Sequence, residues 1–130
     1  MCLETTRIQP FIAEKDIPVY KVLNKNLFAP YVFNFKYELD KLYKSEEATP
    51  IYKDKGKSLY YISKNAFHAY TSYRTAKQFC MKQYQNIYNA IIPKGSMYWI
   101  GYSFCDICSD RIIVLSKEIP WYKKMFYIFF

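Results

Sequence analysis

"TSYRTAKQFCMKQYQNIYNAIIPKGSMYWIG", Thr71 to Gly101, changes period partway along, and that change decides the fold class. Ser72 is a residue type that caps helix starts, and Ala76, Phe79, Cys80 and Gln83 follow at the i, i+3, i+4, i+7 spacing of one helix face. The spacing predicts a helix over about Tyr73–Gln85, its apolar stripe formed by Ala76, Phe79 and Cys80. From Ile87 the pattern is that of strands, 87–93 and 96–102, joined by Pro93-Lys94-Gly95-Ser96. Proline presets φ there and glycine accepts positive φ.

Working upstream, "DIPVYKVLNKN" (16–26) predicts a strand with Val19, Lys21 and Leu23 on one side and Tyr20 and Val22 on the other, ending in an Asn-Lys-Asn turn. Residues 28–44 fit both periods, and an extended start turning irregular around Asp40 is expected. "PIYKDKGKSLYYISKNAFHAY" (50–70) offers three short strands broken at Asp54-Lys55-Gly56 and Ser63-Lys64-Asn65. Downstream, "DRIIVLS" (110–116) predicts another strand, and 117–130 an aromatic tail. The sum is an α+β fold: a single compact domain over 1–130, a mainly antiparallel sheet, one principal helix at about 73–85, and a tail 117–130 at its periphery.

Composition narrows the class. The 130 residues are 52% hydrophobic with 15 Tyr and 10 Phe, too apolar for a disordered chain. Net charge is +8 and unevenly spread: residues 61–130 carry nine Lys or Arg against three acids, and no acid falls between Asp54 and Asp106. Arg74, Lys77, Lys82 and Lys94 lie in that acid-free stretch and are expected to form a basic surface. Such a surface attracts polyanions or an acidic protein. Lysines interleaved with aromatics in "YKDKGKSLYYISK" and "SYRTAKQFCMKQY" could also stack bases and hold phosphates, although the aromatic boxes of common RNA-binding modules are missing. "MCLETTRIQP" lacks the charged start and apolar core of a signal peptide, and no apolar run reaches membrane-spanning length. A cytoplasmic protein with reduced thiols and no membrane span is expected.

Candidate chemistry is sparse. His68 is the only histidine, sharing a strand face with Ala66 and Tyr70, and it opens either as a pocket residue or as a packed strand residue. Cys105-Asp-Ile-Cys108 has the spacing of half a zinc site, and the chain from Asp110 leads into a strand rather than the helix a redox motif needs. It reads as thiols in a loop before a strand. Glu46-Glu47 is expected to be a solvated loop pair, and Asp106/Asp110 a pair near the cysteines. There is no glycine-rich phosphate loop, and the residues give no reason to expect a cofactor. The apolar tail "MFYIFF" would aggregate if exposed, so Phe126, Ile128 and Phe129 are expected to be covered by the domain or by self-association with a second copy.

Two resemblances add expectations. "CLETTRIQPFIAEKDIPVYKVL", "APYVFNFKYELDKLYK", "AFHAYTS", "AIIPKGSMYWIG" and "ICSDRIIVL", spanning residues 2–115, resemble a group of small proteins from Bacteroides-type gut bacteria and their phages. That resemblance implies a cytoplasmic protein of bacterial or phage origin and assigns it no particular activity. Separately, "VYKVL", "HAYTSYRTAKQF" and "AIIPKGSMYWIG" are similar in order to the elements of ADP-ribosyltransferase-like folds. This second resemblance implies a nucleotide pocket with Tyr20 and Lys21 where that family has His or Arg, Tyr70-Thr71-Ser72 as its middle element, His68 nearby, and Asp106 or Asp110 in place of a late glutamate. Together these readings lead to a non-enzymatic binding protein that contacts a macromolecule of a host, of inhibitor or anti-defence type. The alternatives are a nucleotide-binding protein or enzyme and a nucleic-acid-binding protein.

Overall fold

The computed structural model describes residues 4–5, 9–30, 35–46, 50–54, 59–62, 66–101 and 105–116. Its elements in chain order are β1 (Glu4–Thr5), β2 (Phe11–Ile12), β3 (Ile17–Asn24), a 3₁₀ turn (Lys25–Leu27), β4 (Leu42–Lys44), β5 (Pro50–Asp54), β6 (Leu59–Ile62), β7 (Phe67–Tyr70), α1 (Tyr73–Phe79), β8 (Gln85–Ile92), β9 (Met97–Ile100), β10 (Asp106–Ser109) and β11 (Arg111–Val114). Eight strands make one sheet in the order β2-β9-β10-β7-β3-β8-β11-β4, and β1-β6-β5 make a second, three-stranded sheet. Every pairing is antiparallel. Among the described residues the fold is thus mostly antiparallel sheet with one short α-helix.

The central ladder is β3 on β8, in register from Ile17↔Ile92 to Asn24↔Gln85. Alternation along β3 sends Val19 and Leu23 to one face, where they pack with Tyr37, Phe67, Ala69, Ala90, Ile92, Ile107, Ile112 and Val114 as the main core. Leu23 and Ile112 are completely buried, each removing from water apolar surface worth about 2 kcal/mol. A ring cluster caps this core, with Phe35, Tyr37, Tyr43 and Phe67 edge-on or tilted at 4.8–6.4 Å between centroids. Pro18 is tolerated within β3 because β7 joins β3 only at Tyr20↔Tyr70, so β3 has one neighbour at Pro18.

The structure corrects several expectations. The helix ends at Phe79, not Gln85, because Cys80 is extended (φ −92°, ψ 121°) and Gln85 is needed as the first rung opposite Asn24. The Gln85 side chain seals the junction, accepting from Met81 N (2.8 Å) and donating to Asn24 Oδ1 (3.1 Å). Of the expected stripe only Ala76 is fully buried, and Phe79 is mostly exposed. The Cys105–Cys108 stretch is not a loop: Asp106–Ser109 is β10, paired on both sides. The turn at 93–96 forms as its residues dictate, Gly95 at φ 89° and Ser96 N donating to Pro93 O (3.1 Å). It does not close a hairpin, however. β8 and β9 are not neighbours, and Ala13 sits at the turn, exchanging hydrogen bonds with Ser96 O and Gly95 N. Asp40, where the irregularity was expected, has φ 62°. The tail 117–130, with Phe126, Ile128 and Phe129, lies outside the described residues, as do Lys55-Gly56 and Ser63-Lys64-Asn65.

Candidate functional site

Adjacent strands β10, β7 and β3 bring most of the candidate residues to one face of the large sheet. Tyr20 pairs with Tyr70, Tyr70 with Asp106, and His68 with Cys108. Cross-strand partners share a face, so Tyr20, His68, Tyr70, Asp106 and Cys108 all lie on the side opposite the main core. α1 lies across this face, its Ala76 packed with Val22 and Tyr70. Aromatic contacts tie the group together: His68 edge-on to Tyr70 (4.9 Å), Tyr70 stacked parallel on Phe79 (5.6 Å, 4°) and Tyr20 edge-on to Tyr73 (5.5 Å).

The electrostatic centre is His68 with Asp106. Nε2 stands 3.9 Å from Asp106 Oδ2, too far for a hydrogen bond, and the nitrogen is buried without a hydrogen-bond partner. Burial pushes the imidazole pKa down, with Asp106 pulling the other way and Lys21 reinforcing the lowering. His68 is therefore a neutral ring beside a carboxylate at neutral pH, and the two do not form an ion pair.

Lys21 is on the main-core face, between Val19 and Leu23 in β3, and is buried. Its ammonium donates to His68 O and lies 5.5 Å above the centre of the Tyr37 ring. The β3–β7 register is one pair long, and the lysine bridges the strands where the ladder stops. Desolvation lowers its pKa to about 8, partly opposed by Cys108. Tyr37 below it is pushed well above the ordinary tyrosine value, chiefly by burial and also by Tyr43.

The hydroxyls of the middle element are used structurally. Thr71 donates from N (2.8 Å) and Oγ1 (3.3 Å) to Cys105 O, fastening the strand–helix junction to the start of β10. Ser72 Oγ accepts from Thr75 N (3.4 Å) as the helix cap. Asp110 is also structural: buried, its Oδ1 accepts from Met97 N (2.9 Å) and its backbone N donates to Met97 O (3.1 Å). Cys108 is buried against Trp99, with Ala66 and Met97 around it, while Cys105 precedes the strand. No disulfide links the described cysteines, and among the described residues no three His, Cys, Asp or Glu are placed to hold a metal.

The expected basic surface divides. Arg74 and Lys77 on α1 and Lys82 in the following turn are exposed together at the Gln85 end of β8. Lys94 is exposed in the turn that follows the other end of β8. The sequence reading missed Lys21 as a buried charge, although a lysine between two apolar residues of alternating strand spacing is the signal for one. Among the described residues no helix is long and apolar enough to cross a membrane. No family model matches the chain, and no curated protein or solved structure matches it either.

Proposed function

We propose that this chain is a non-enzymatic binding protein that acts by contact with a partner protein. The observation supporting this reading is how its reactive side chains are employed. The hydroxyls of Thr71 and Ser72 and the Oδ1 of Asp110 are committed to backbone hydrogen bonds. A net charge of +8 favours an acidic partner. In the phage setting suggested by the resemblance, that partner is a host enzyme or defence complex. The test is cross-linked capture by the tagged full chain from a Bacteroides-type lysate, followed by reconstitution with the purified protein recovered. A stoichiometric complex in size-exclusion chromatography with light scattering is expected. Recovery of nothing beyond what an unrelated protein of equal charge recovers overturns the reading.

A second reading is favoured by the grouping of His68, Tyr70 and Asp106 on one face: a nucleotide-binding protein. The unfolding midpoint of the pure chain against NAD, other nucleotides, short RNA and DNA, and zinc decides between the two. A ligand held by the native state at a hundredfold excess over its Kd adds about 2.7 kcal/mol. A rise with NAD that disappears in His68→Ala would move the assignment to this face. A flat panel keeps it with the protein partner.

A further inference from the structure

We infer that the exposed surface of residues 73–84, α1 and the turn after it, is the docking site for a short acidic segment of the partner, an assignment that rests on the binding reading above. Seven large hydrophobic side chains are exposed among the described residues, and four of them, Tyr73, Phe79, Met81 and Tyr84, fall in these twelve positions, each more than half exposed. Ala76 is the residue of α1 that is fully buried, and these larger side chains keep more than half of their surface in solvent. Interspersed with them are the exposed cations Arg74, Lys77 and Lys82, none with an ion-pair partner among the described residues. Lys25 adjoins the patch, its backbone N donating to Tyr84 O (2.8 Å).

Three details make this a prepared surface. The Phe79 ring lies flat on Tyr70, Tyr73 stands edge-on to Tyr20, and the Tyr84 hydroxyl contacts Met81 Sδ. The rings are braced before any partner arrives, so little rotamer freedom is left to lose on binding. Tyr, Phe, Met and Arg are enriched and Asp and Glu depleted at protein–protein interfaces, and residues 73–84 hold the first four types with no acid, Lys77 and Lys82 adding positive charge. Three cations in twelve residues are few for tracking a phosphate backbone, while the unbranched Met81 side chain adapts to apolar side chains of a peptide. Twelve positions are about half of one side of a standard interface, which fits a short segment better than a broad domain face. The acid-free run from Lys55 to Cys105 sets the charge of that segment as negative.

The test titrates a fluorescein-labelled random copolymer of Glu and Tyr with the full chain and follows anisotropy, beside a labelled oligothymidylate. Saturable copolymer binding is expected, weakened about tenfold or more by the double change Arg74→Glu, Lys77→Glu and separately by Phe79→Ser, and changed less than about twofold by Lys94→Glu at the far end of the sheet. These positions are exposed, and unchanged circular dichroism confirms that the variants fold. Tighter binding of the oligothymidylate, equal loss with Lys94→Glu, or no copolymer binding overturns the assignment. The same variants used as capture baits separate the two levels. Equal partner recovery by wild type and charge-reversed bait refutes this surface and leaves the binding reading standing, whereas no recovery by wild type refutes the binding reading itself.

Discussion

Replacing Lys21 with Met should stabilise this protein at neutral pH, and the gain should vanish as pH rises. The amine titrates near 8 when folded and near 10.5 when unfolded, so carrying the charge inside the fold costs about 3 kcal/mol at pH 7. Methionine fills similar volume without that charge. It forfeits the hydrogen bond to His68 O and the contact with the Tyr37 ring, worth about 1 kcal/mol or slightly more together, so the net gain expected is about 2 kcal/mol. The sign with pH follows from proton counting. Between about 8 and 10.5 the unfolded chain holds the Lys21 proton and the folded chain has released it, so wild-type stability rises through this window. From pH 7 to pH 9.5 the relief amounts to about 2 kcal/mol, enough to cancel the advantage of the variant. Urea denaturation of both proteins at pH 7.0, 8.0, 9.0 and 9.5 measures it. Taking the difference between the two proteins removes the background common to both. A variant less stable than wild type at pH 7, or a difference that is constant with pH, would refute the reasoning. Either result would mean that Lys21 reaches water or is neutral throughout.

Substitutions at three other positions probe particular contacts. Ser72→Ala removes the oxygen that accepts from Thr75 N and should cost about 1 kcal/mol in urea denaturation, with a loss of helical circular dichroism that is small because α1 has seven residues. Gly95→Ala meets no atom within 4 Å, so its cost, about 1 kcal/mol, should come entirely from the left-handed φ of 89°, and Gly95→Asn should recover part of it. Asp110→Ala strips Met97 N of its acceptor in a buried place and should cost about 2 kcal/mol, with faster amide exchange at Met97 as the local signature.

Local signals in the chain were legible where local chemistry decides the outcome. The face alternation of β3, the Ser72 cap and the Gly95 turn all follow from the residue types at those positions. Nonlocal pairing overrode the rest. The helical spacing of Ala76, Phe79, Cys80 and Gln83 would carry α1 onward, but Gln85 is drawn into the ladder opposite Asn24, sixty-one residues earlier in the chain. Asp106-Ile-Cys-Ser109 has poor strand propensity and becomes a strand because β7 and β9 flank it on both sides. For the site, sequence reasoning named His68, Tyr70 and Asp106 separately. What it could not supply was that β10 lies against β7, which puts the three on one face, nor that Thr71 and Ser72 would have their hydroxyls engaged.

The strand order has a consequence for how the protein comes into being. β3 is the middle of the ladder system, yet its long partner β8 follows much later: Val19 pairs with Ala90, 71 positions downstream. During synthesis at about 5–20 residues per second, "VYKVL" therefore waits on the order of 4–14 s for its partner. Neither β10 nor β11 exists until later still. An apolar strand of eight residues exposed for that long is a natural client for a holdase, and refolding in vitro should be slow and sensitive to protein concentration. The buried lysine in that strand gains a second meaning in this light. A charge in the middle of an otherwise apolar segment opposes association between unfolded chains, while its burial lowers the stability of the native fold at neutral pH.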